Sequence, residues 1–203
     1  MLDTLFARVY DPLLASAERG LLGRVRAELL RAVAGHVLVV GAGTGADLRH
    51  LPADVTQLTL VEPSAPMRAR LRQAVPPRLV PRTETIDAFA ERLPLLTASV
   101  DHVVCSLVLC SVRDPEAVVA EIDRVLRPGG TLIVVEHGAA DPGMAAVAQR
   151  VANPAWKRIA AGCNLTRDPA ALIGARFDVS ELHRVDVPPV SRIGAVTAGV
   201  VRR

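Results

Sequence analysis

The sequence predicts an α/β fold, a single doubly wound sheet that is mostly parallel and seven-stranded, with helices on both faces and a terminal antiparallel hairpin. Three observations carry that expectation. From His36 onward, short β-rich runs alternate with stretches of helical periodicity. A turn with three glycines, "VGAGTGAD", follows the first of those runs. The tail from Phe177 loses the helical pattern and reads as two extended segments. At 203 residues, half of them hydrophobic, the chain is long enough to fill one core.

Taken in order, Leu14, Ala17, Leu21, Val25 and Leu29 recur at helical spacing, so residues 12–33 form an amphipathic helical region. Arg19, Arg24, Arg26 and Arg31 fall mostly on its other faces, and Gly20 and Gly23 break or bend it. The strands are "HVLVV", "QLTLVE", "RTETI", "DHVVCS" and "TLIVVEH"; "SAPMRARLRQAV" and "DPEAVVAEIDRVL", between them, carry apolar residues three and four apart. "RPGG" ends the second of these helices with glycine and launches the next strand. "FDVSELHRVDV" and "GAVTAGVVRR", separated by "PPVSRI", make the antiparallel hairpin.

Composition narrows the function classes. The net charge of +3 rests on 23 Arg and the single Lys157 without a basic block, and the chain has only five aromatic residues. A nucleic-acid binder needs a basic track and stacking platforms, so none is expected as a partner. Cys105, Cys110 and Cys163 are odd in number and lack CxxC spacing, and with His102 and His137 they match no ligand pattern, so no metal is expected. Those thiols, and an opening "MLDTLFARVYDP" without a cationic start, fit a reducing cytoplasm. No apolar run reaches the ~18 residues that span a bilayer, so stable membrane insertion is not expected.

The glycine turn points to a ligand. "GAGTGA" satisfies G-x-G-x-x-G/A, and Glu62 lies 21 residues after Gly41, where a ribose-binding acid belongs. Asp47 is expected in the first turn of the helix that follows, where it would repel a diphosphate. S-adenosylmethionine carries a sulfonium and no phosphate, so it suits both acids better than a dinucleotide does. A plain strand-to-helix turn, with Glu62 as a capping acid before Pro63, is the reading without a ligand.

In sequence order, "VLVVGAGTGADLRHLP", "LVEPSAPM", "ERLPLLTASVDHVVCSLVLCSV" and "RVLRPGGTLIVVEHG" resemble the motifs of class I S-adenosylmethionine-dependent methyltransferases of the ubiquinone/menaquinone-methyltransferase type, from about His36 to Phe177. "VVCSLVLCSV", "RPGG", "EHG" and "NPAWKRIAAGCNLTR" look especially like the methyltransferase-like thiol S-methyltransferases. The resemblance implies a Rossmann-like domain over residues 1–203, made of a helical lid (1–34), a cofactor-binding core (35–137), a helical acceptor cap (138–176) and the terminal hairpin (177–203). It implies that Gly41, Ala42, Gly43, Thr44 and Gly45 approach the cofactor's amino-acid head and that Glu62 and Pro63 meet the ribose. Met67, Phe89, Ala90 and Glu91 then flank the adenosine, and Ser106 and Leu107 lie beside the methionine moiety. Phe89 departs from the small polar or acidic residue of many relatives, which points to stacking on the base.

Methyl transfer from a sulfonium is an in-line displacement, in which alignment matters before acid or base. His137, directly after the fifth strand, is the candidate for deprotonating or orienting an acceptor, with a structural histidine as the competing reading. Tyr10, Cys110, Trp156, Asn164 and Arg167 are expected to shape the pocket of a small apolar acceptor. A thiol fits best; quinone, phenol and lipid acceptors stay open, because one core serves several chemistries. A nicotinamide-dependent oxidoreductase and a non-catalytic binder are the competing classes. Oligomeric state is not readable.

Overall fold

The computed structural model describes residues 12, 15–187 and 195–203; Tyr10 and the "PPVSRI" segment lie outside them. Helix α1 (Leu21–Leu30) leads into β1 (Gly35–Val40), followed by β2 (Val55–Val61), α2 (Ala65–Ala74), β3 (Thr83–Ile86), β4 (Val100–Ser106) and α3 (Pro115–Val125). Then come β5 (Leu126–Gly138), α4 (Met144–Ile159), α5 (Pro169–Gly174), β6 (His183–Val185) and β7 (Ala195–Arg202). The seven strands form one sheet in the order β3-β2-β1-β4-β5-β7-β6. β1 to β5 pair in parallel, and β7 pairs antiparallel with both β5 and β6.

Alternation along each central strand splits the core between two faces. Leu38, Val40, Val103, Cys105, Leu132 and Val134 pack with α3 and α5 on one face. Val37, Val39, Val104 and Ile133 pack with Leu30 of α1 and Leu71 of α2 on the other. Two helices start alike: Asp114 and Asp168 each accept the backbone N–H three residues on, and Pro115 and Pro169 occupy the first helical position. The chain winds outward from β1 toward β3 and then returns to add β4 and β5 on the other side. The carboxyl ends of β1 and β4 therefore flank a topological switch point, where open α/β sheets form their ligand crevice.

Three expectations need correction. The helix after the glycine turn shrinks to a single 3-10 turn, Leu48–His50. Pro52 disfavours helical backbone at Leu51, which is extended at φ −67° and ψ 132°. "RPGG" does not cap α3 either. That helix ends at Val125, Leu126 is already extended, and β5 runs through the motif, with a register shift between the pairs Val100–Leu126 and His102–Thr131. The N-terminal helical region does turn at Gly20, but Arg26 faces inward and is only 2% exposed. Gly23 allows this packing, since a Cβ there would lie 2.1 Å from the Glu18 carbonyl oxygen.

Candidate functional site

The glycine turn leaves β1 at Gly41, whose φ of +55° favours glycine and whose Cβ would meet a Val108 methyl at 2.8 Å. This close approach joins the β1 turn to the loop after β4. A Cβ at Gly43 would meet nothing nearer than the Gly41 carbonyl oxygen at 3.9 Å, so the turn presents an open backbone surface. Ala42 N–H donates to the Val61 carbonyl and Gly45 N–H to the Ala42 carbonyl, both at 2.9 Å, with Ala42 and Thr44 buried.

Glu62 sits just past the end of β2, buried beside this turn. One carboxylate oxygen accepts the Gly43 N–H at 2.9 Å and the other the Ser64 N–H at 2.8 Å. Burial raises its pKa, and those two amides pull it back. Each oxygen keeps a lone pair for a further donor, so a paired-hydroxyl ligand fits there. Arg68, which the sequence reading passed over, donates to the Glu62 carbonyl at 2.8 Å and pairs with Asp87 at 2.6 Å, tying the end of β2 to the loop after β3. Pro63 is half-buried and Met67 is buried on α2.

The loop after β3 holds Phe89, Ala90 and Glu91. Ala90 is buried, whereas Phe89 is 59% exposed with the Arg113 guanidinium 5.9 Å from its ring centroid. Glu91 accepts from the Arg113 and Asp114 amides at 3.0 and 3.5 Å, so its carboxylate fixes the approach to α3.

Asp47 is not the isolated charge the sequence implied. Arg26 of α1 reaches across the turn to Asp47 Oδ1 and Ser106 Oγ, and its Nε donates to Glu18 at 3.2 Å. Its positive charge offsets the repulsion that Asp47 was expected to exert on a diphosphate, so that part of the ligand argument falls. Nothing in the periodicity of α1 marked Arg26 as buried, because its partners lie in remote turns.

Beyond β4, Leu107 adopts φ +58°, unusual for a branched residue and a mark of stored strain. The loop it opens is held by Glu136, which sequence reasoning also missed. This fully buried carboxylate accepts the Val108 and Leu109 amides at 2.7 and 3.0 Å and the Cys105 thiol at 3.3 Å through Oε1. Oε2 is buried without a partner among the described residues. Its signal was a lone acid at the end of the apolar run "TLIVVEH". Burial pushes the Glu136 carboxyl up from 4.5 to about 7, against the pull of those amides. The folded protein thus holds a proton that the unfolded chain releases, and stability falls as pH rises from about 4.5 to about 7. Glu136→Gln is expected to flatten that slope, worth about 3 kcal/mol in full; denaturant titrations across the window measure it, and an unchanged slope would assign it elsewhere.

The cap packs onto the same loop. Arg167 donates to the Leu109 carbonyl, and the Asn164 N–H donates to the Cys110 carbonyl at 2.7 Å. The Asn164 side chain is used within the cap, accepting from Asn153, from the Thr166 amide and from the Thr166 hydroxyl at 2.9–3.0 Å. Trp156 is half-buried, with its Nε1 shielded from solvent. His137, buried at the end of β5, has Nδ1 4.0 Å from Cys163 Sγ, and Cys110 is buried. The structure therefore gathers Cys110, His137, Trp156 and Arg167 around this loop, while Asn164 contributes backbone. Among the described residues, no group of three or more metal-binding side chains forms.

Comparison with known proteins extends the picture. A methyltransferase-domain profile matches residues 38–134. Thiol S-methyltransferase TMT1B of Rattus norvegicus is 36% identical over 173 residues, spanning 83% of this chain and 69% of that protein. Thiol S-methyltransferase TMT1A of Homo sapiens is 33% identical over 187 residues, spanning 90% and 76%. A crystal structure of an S-adenosylmethionine-dependent methyltransferase from Thermotoga maritima, described as a possible histamine N-methyltransferase, superimposes with a TM-score of 0.68 at 21% identity, covering 99% of this chain and 97% of that one.

Proposed function

Because this chain belongs to the S-adenosylmethionine-dependent methyltransferases, in the family of the thiol S-methyltransferases, we propose that it transfers the methyl group to a small apolar thiol. The observation that carries the thiol is the reach of the similarity. It spans 83–90% of the chain, well beyond the shared core of residues 38–134.

The cofactor supplies an electrophilic methyl on a sulfonium; the chain's residues supply position and surroundings. On this reading Glu62 takes the two ribose hydroxyls through the lone pairs left free by Gly43 and Ser64. The open turn from Gly41 to Gly45 backs the amino-acid head, with Ser106 and Leu107 beside the methionine chain. Pro63, Met67 and Ala90 border the adenosine; Phe89 stacks on the base through the ring face away from Arg113, and Glu91 acts by fixing that loop. His137 orients the acceptor among Cys110, Trp156 and Arg167, and the Asn164 amide ties the cap to the loop that carries Cys110.

A thiolate meeting a sulfonium loses charge in the transition state, so a dry apolar wall favours the reaction over water. Val108, Leu109, Cys110 and Leu165 are all buried around that loop and offer such a wall. A cytoplasmic setting accompanies this reading. Among the described residues, no helix is long and apolar enough to cross a membrane.

Incubating the protein with S-adenosylmethionine and a panel of alkyl and aryl thiols, phenols and quinols is expected to release S-adenosylhomocysteine with the thiols. Turnover of a quinol or phenol with silence across the thiols would move the acceptor to that class.

A further inference from the structure

Two of the three cysteines face one another on the cap side of the β4 loop, a juxtaposition that methyl transfer does not require. The end of α4 builds it. Ala161 and Gly162 turn the chain through left-handed backbone at φ +47° and +88°, and Cys163 N–H closes onto the Ala160 carbonyl at 2.9 Å. The next amide, Asn164 N–H, is bonded to the carbonyl of Cys110 itself at 2.7 Å. This backbone tie brings Cys163 beside Cys110, whose sulfur also stands 3.6 Å from the Leu107 carbonyl oxygen and 3.4 Å from the Ser111 hydroxyl. The two are unequally accessible: Cys110 is 3% exposed, whereas Cys163 is only partly buried. Both are free thiols, and His137 Nδ1 stands 4.0 Å from Cys163 Sγ.

We propose that Cys163 and Cys110 are the attacking and resolving thiols of a dithiol site that exchanges with small disulfides. An accessible attacking sulfur backed by a buried partner thiol is what such exchange needs. The Cys163 thiolate attacks one sulfur of RS–SR; the S–S bond breaks, one RS⁻ leaves, and a mixed disulfide forms on Cys163. The leaving thiolate takes the Cys110 proton. Cys110 then attacks Cys163 Sγ, forming the Cys110–Cys163 disulfide and expelling the second RS⁻. The cysteine pair is oxidised by two electrons and RSSR is reduced to two thiols. A low-molecular-weight thiol of the same class resets the pair by the reverse exchange.

The ionisation pattern supports the division of labour. The neighbouring Cys110, then His137 and Trp156, hold the Cys163 thiol well below its ordinary value, while contact with Cys163 and burial push Cys110 well above its own. Such a thiolate is a weaker base than an ordinary one, so taking a proton from an ordinary thiol is uphill. As a nucleophile toward sulfur it is more ionised at neutral pH than an ordinary thiol. The exchange stands apart from methyl transfer; only the idea that a thiol it frees becomes the methyl acceptor rests on the function proposed above.

The test uses the full chain without cofactor and 2,2′-dithiodipyridine as the disulfide, followed by pyridinethione absorbance and peptide mass mapping. The wild type is expected to release roughly two equivalents quickly and to become lighter by its two thiol hydrogens, with the peptides of Cys110 and Cys163 joined. Cys105, buried against Glu136, reacts slowly. Cys110→Ser is expected to stop at one equivalent with a stable adduct on Cys163, and Cys163→Ser to slow the fast phase about 100-fold. A wild-type chain that carries stable adducts on both residues with no joined peptides, or in which Cys105 reacts as fast as Cys163, overturns the proposal. Because no methyl donor is present, an incorrect acceptor assignment leaves this result untouched.

Discussion

Glu62→Lys is expected to abolish measurable binding of S-adenosylhomocysteine by calorimetric titration. Hydrogen bonds to a charged partner are worth about 1.5–3 kcal/mol each, so losing two ribose contacts removes roughly 3–6 kcal/mol, or about two to four orders of magnitude in affinity. A structural contribution has to be separated from this. The carboxylate braces the glycine turn through Gly43 and the start of α2 through Ser64, and a lysine makes neither bond. Glu62→Gln, which keeps one acceptor in place, is expected to melt near the wild type while losing about tenfold or more in affinity. The direction of the pKa shift gives an independent check. Burial raises the Glu62 pKa, so cofactor affinity is expected to fade on acidification at a higher pH than an ordinary carboxylate would produce. Affinity within about threefold of the wild type for the lysine variant would remove Glu62 from the site.

The contrast between Glu62 and Arg26 shows what this sequence reveals and what it hides. The place of Glu62 beside the glycine turn was legible because it follows from local order: a buried strand, a fixed distance from that turn, and a carboxylate at a strand's carboxyl end. The sheet was legible for a similar reason, since β-rich runs and helical spacing are properties of neighbouring residues, and the antiparallel closure by β7 followed from the pattern change in the tail. Arg26 was hidden because its burial depends on Asp47 and Ser106, which are brought to it only by the complete fold. Glu136 and the Cys110–Cys163 pair were hidden in the same way: the first looks like a strand-end acid, and the second joins β4's loop to the far end of the cap. The lost helix after the glycine turn is a different kind of miss. Pro52 follows Leu51 directly, and the restriction a proline places on the residue before it ends the turn there.

Arg26→Met is expected to destabilise the protein by about 3–5 kcal/mol, the usual cost of removing one partner from a buried ion pair. Methionine fills similar volume on α1 and has no charge, so Asp47, itself buried, loses its cation, and the buried Ser106 hydroxyl loses its donor. Glu18 is affected less, because Arg49 pairs with it at 2.8 Å from the solvent side. The penalty comes mainly from the uncompensated Asp47 charge, which predicts how it can be relieved. Adding Asp47→Asn to Arg26→Met is expected to restore at least about 1 kcal/mol, although Asp47→Asn alone destabilises the wild type. Denaturant unfolding of the four proteins measures the coupling; additive losses would mean that Arg26 acts through packing alone. The same cycle reaches function, because Arg26 fastens the N-terminal helix to the glycine turn at Asp47 and to the end of β4 at Ser106. Releasing it is expected to raise the cofactor KM more than it lowers kcat, since the turn's position is disturbed while the acceptor loop stays held by Glu136 and Arg167.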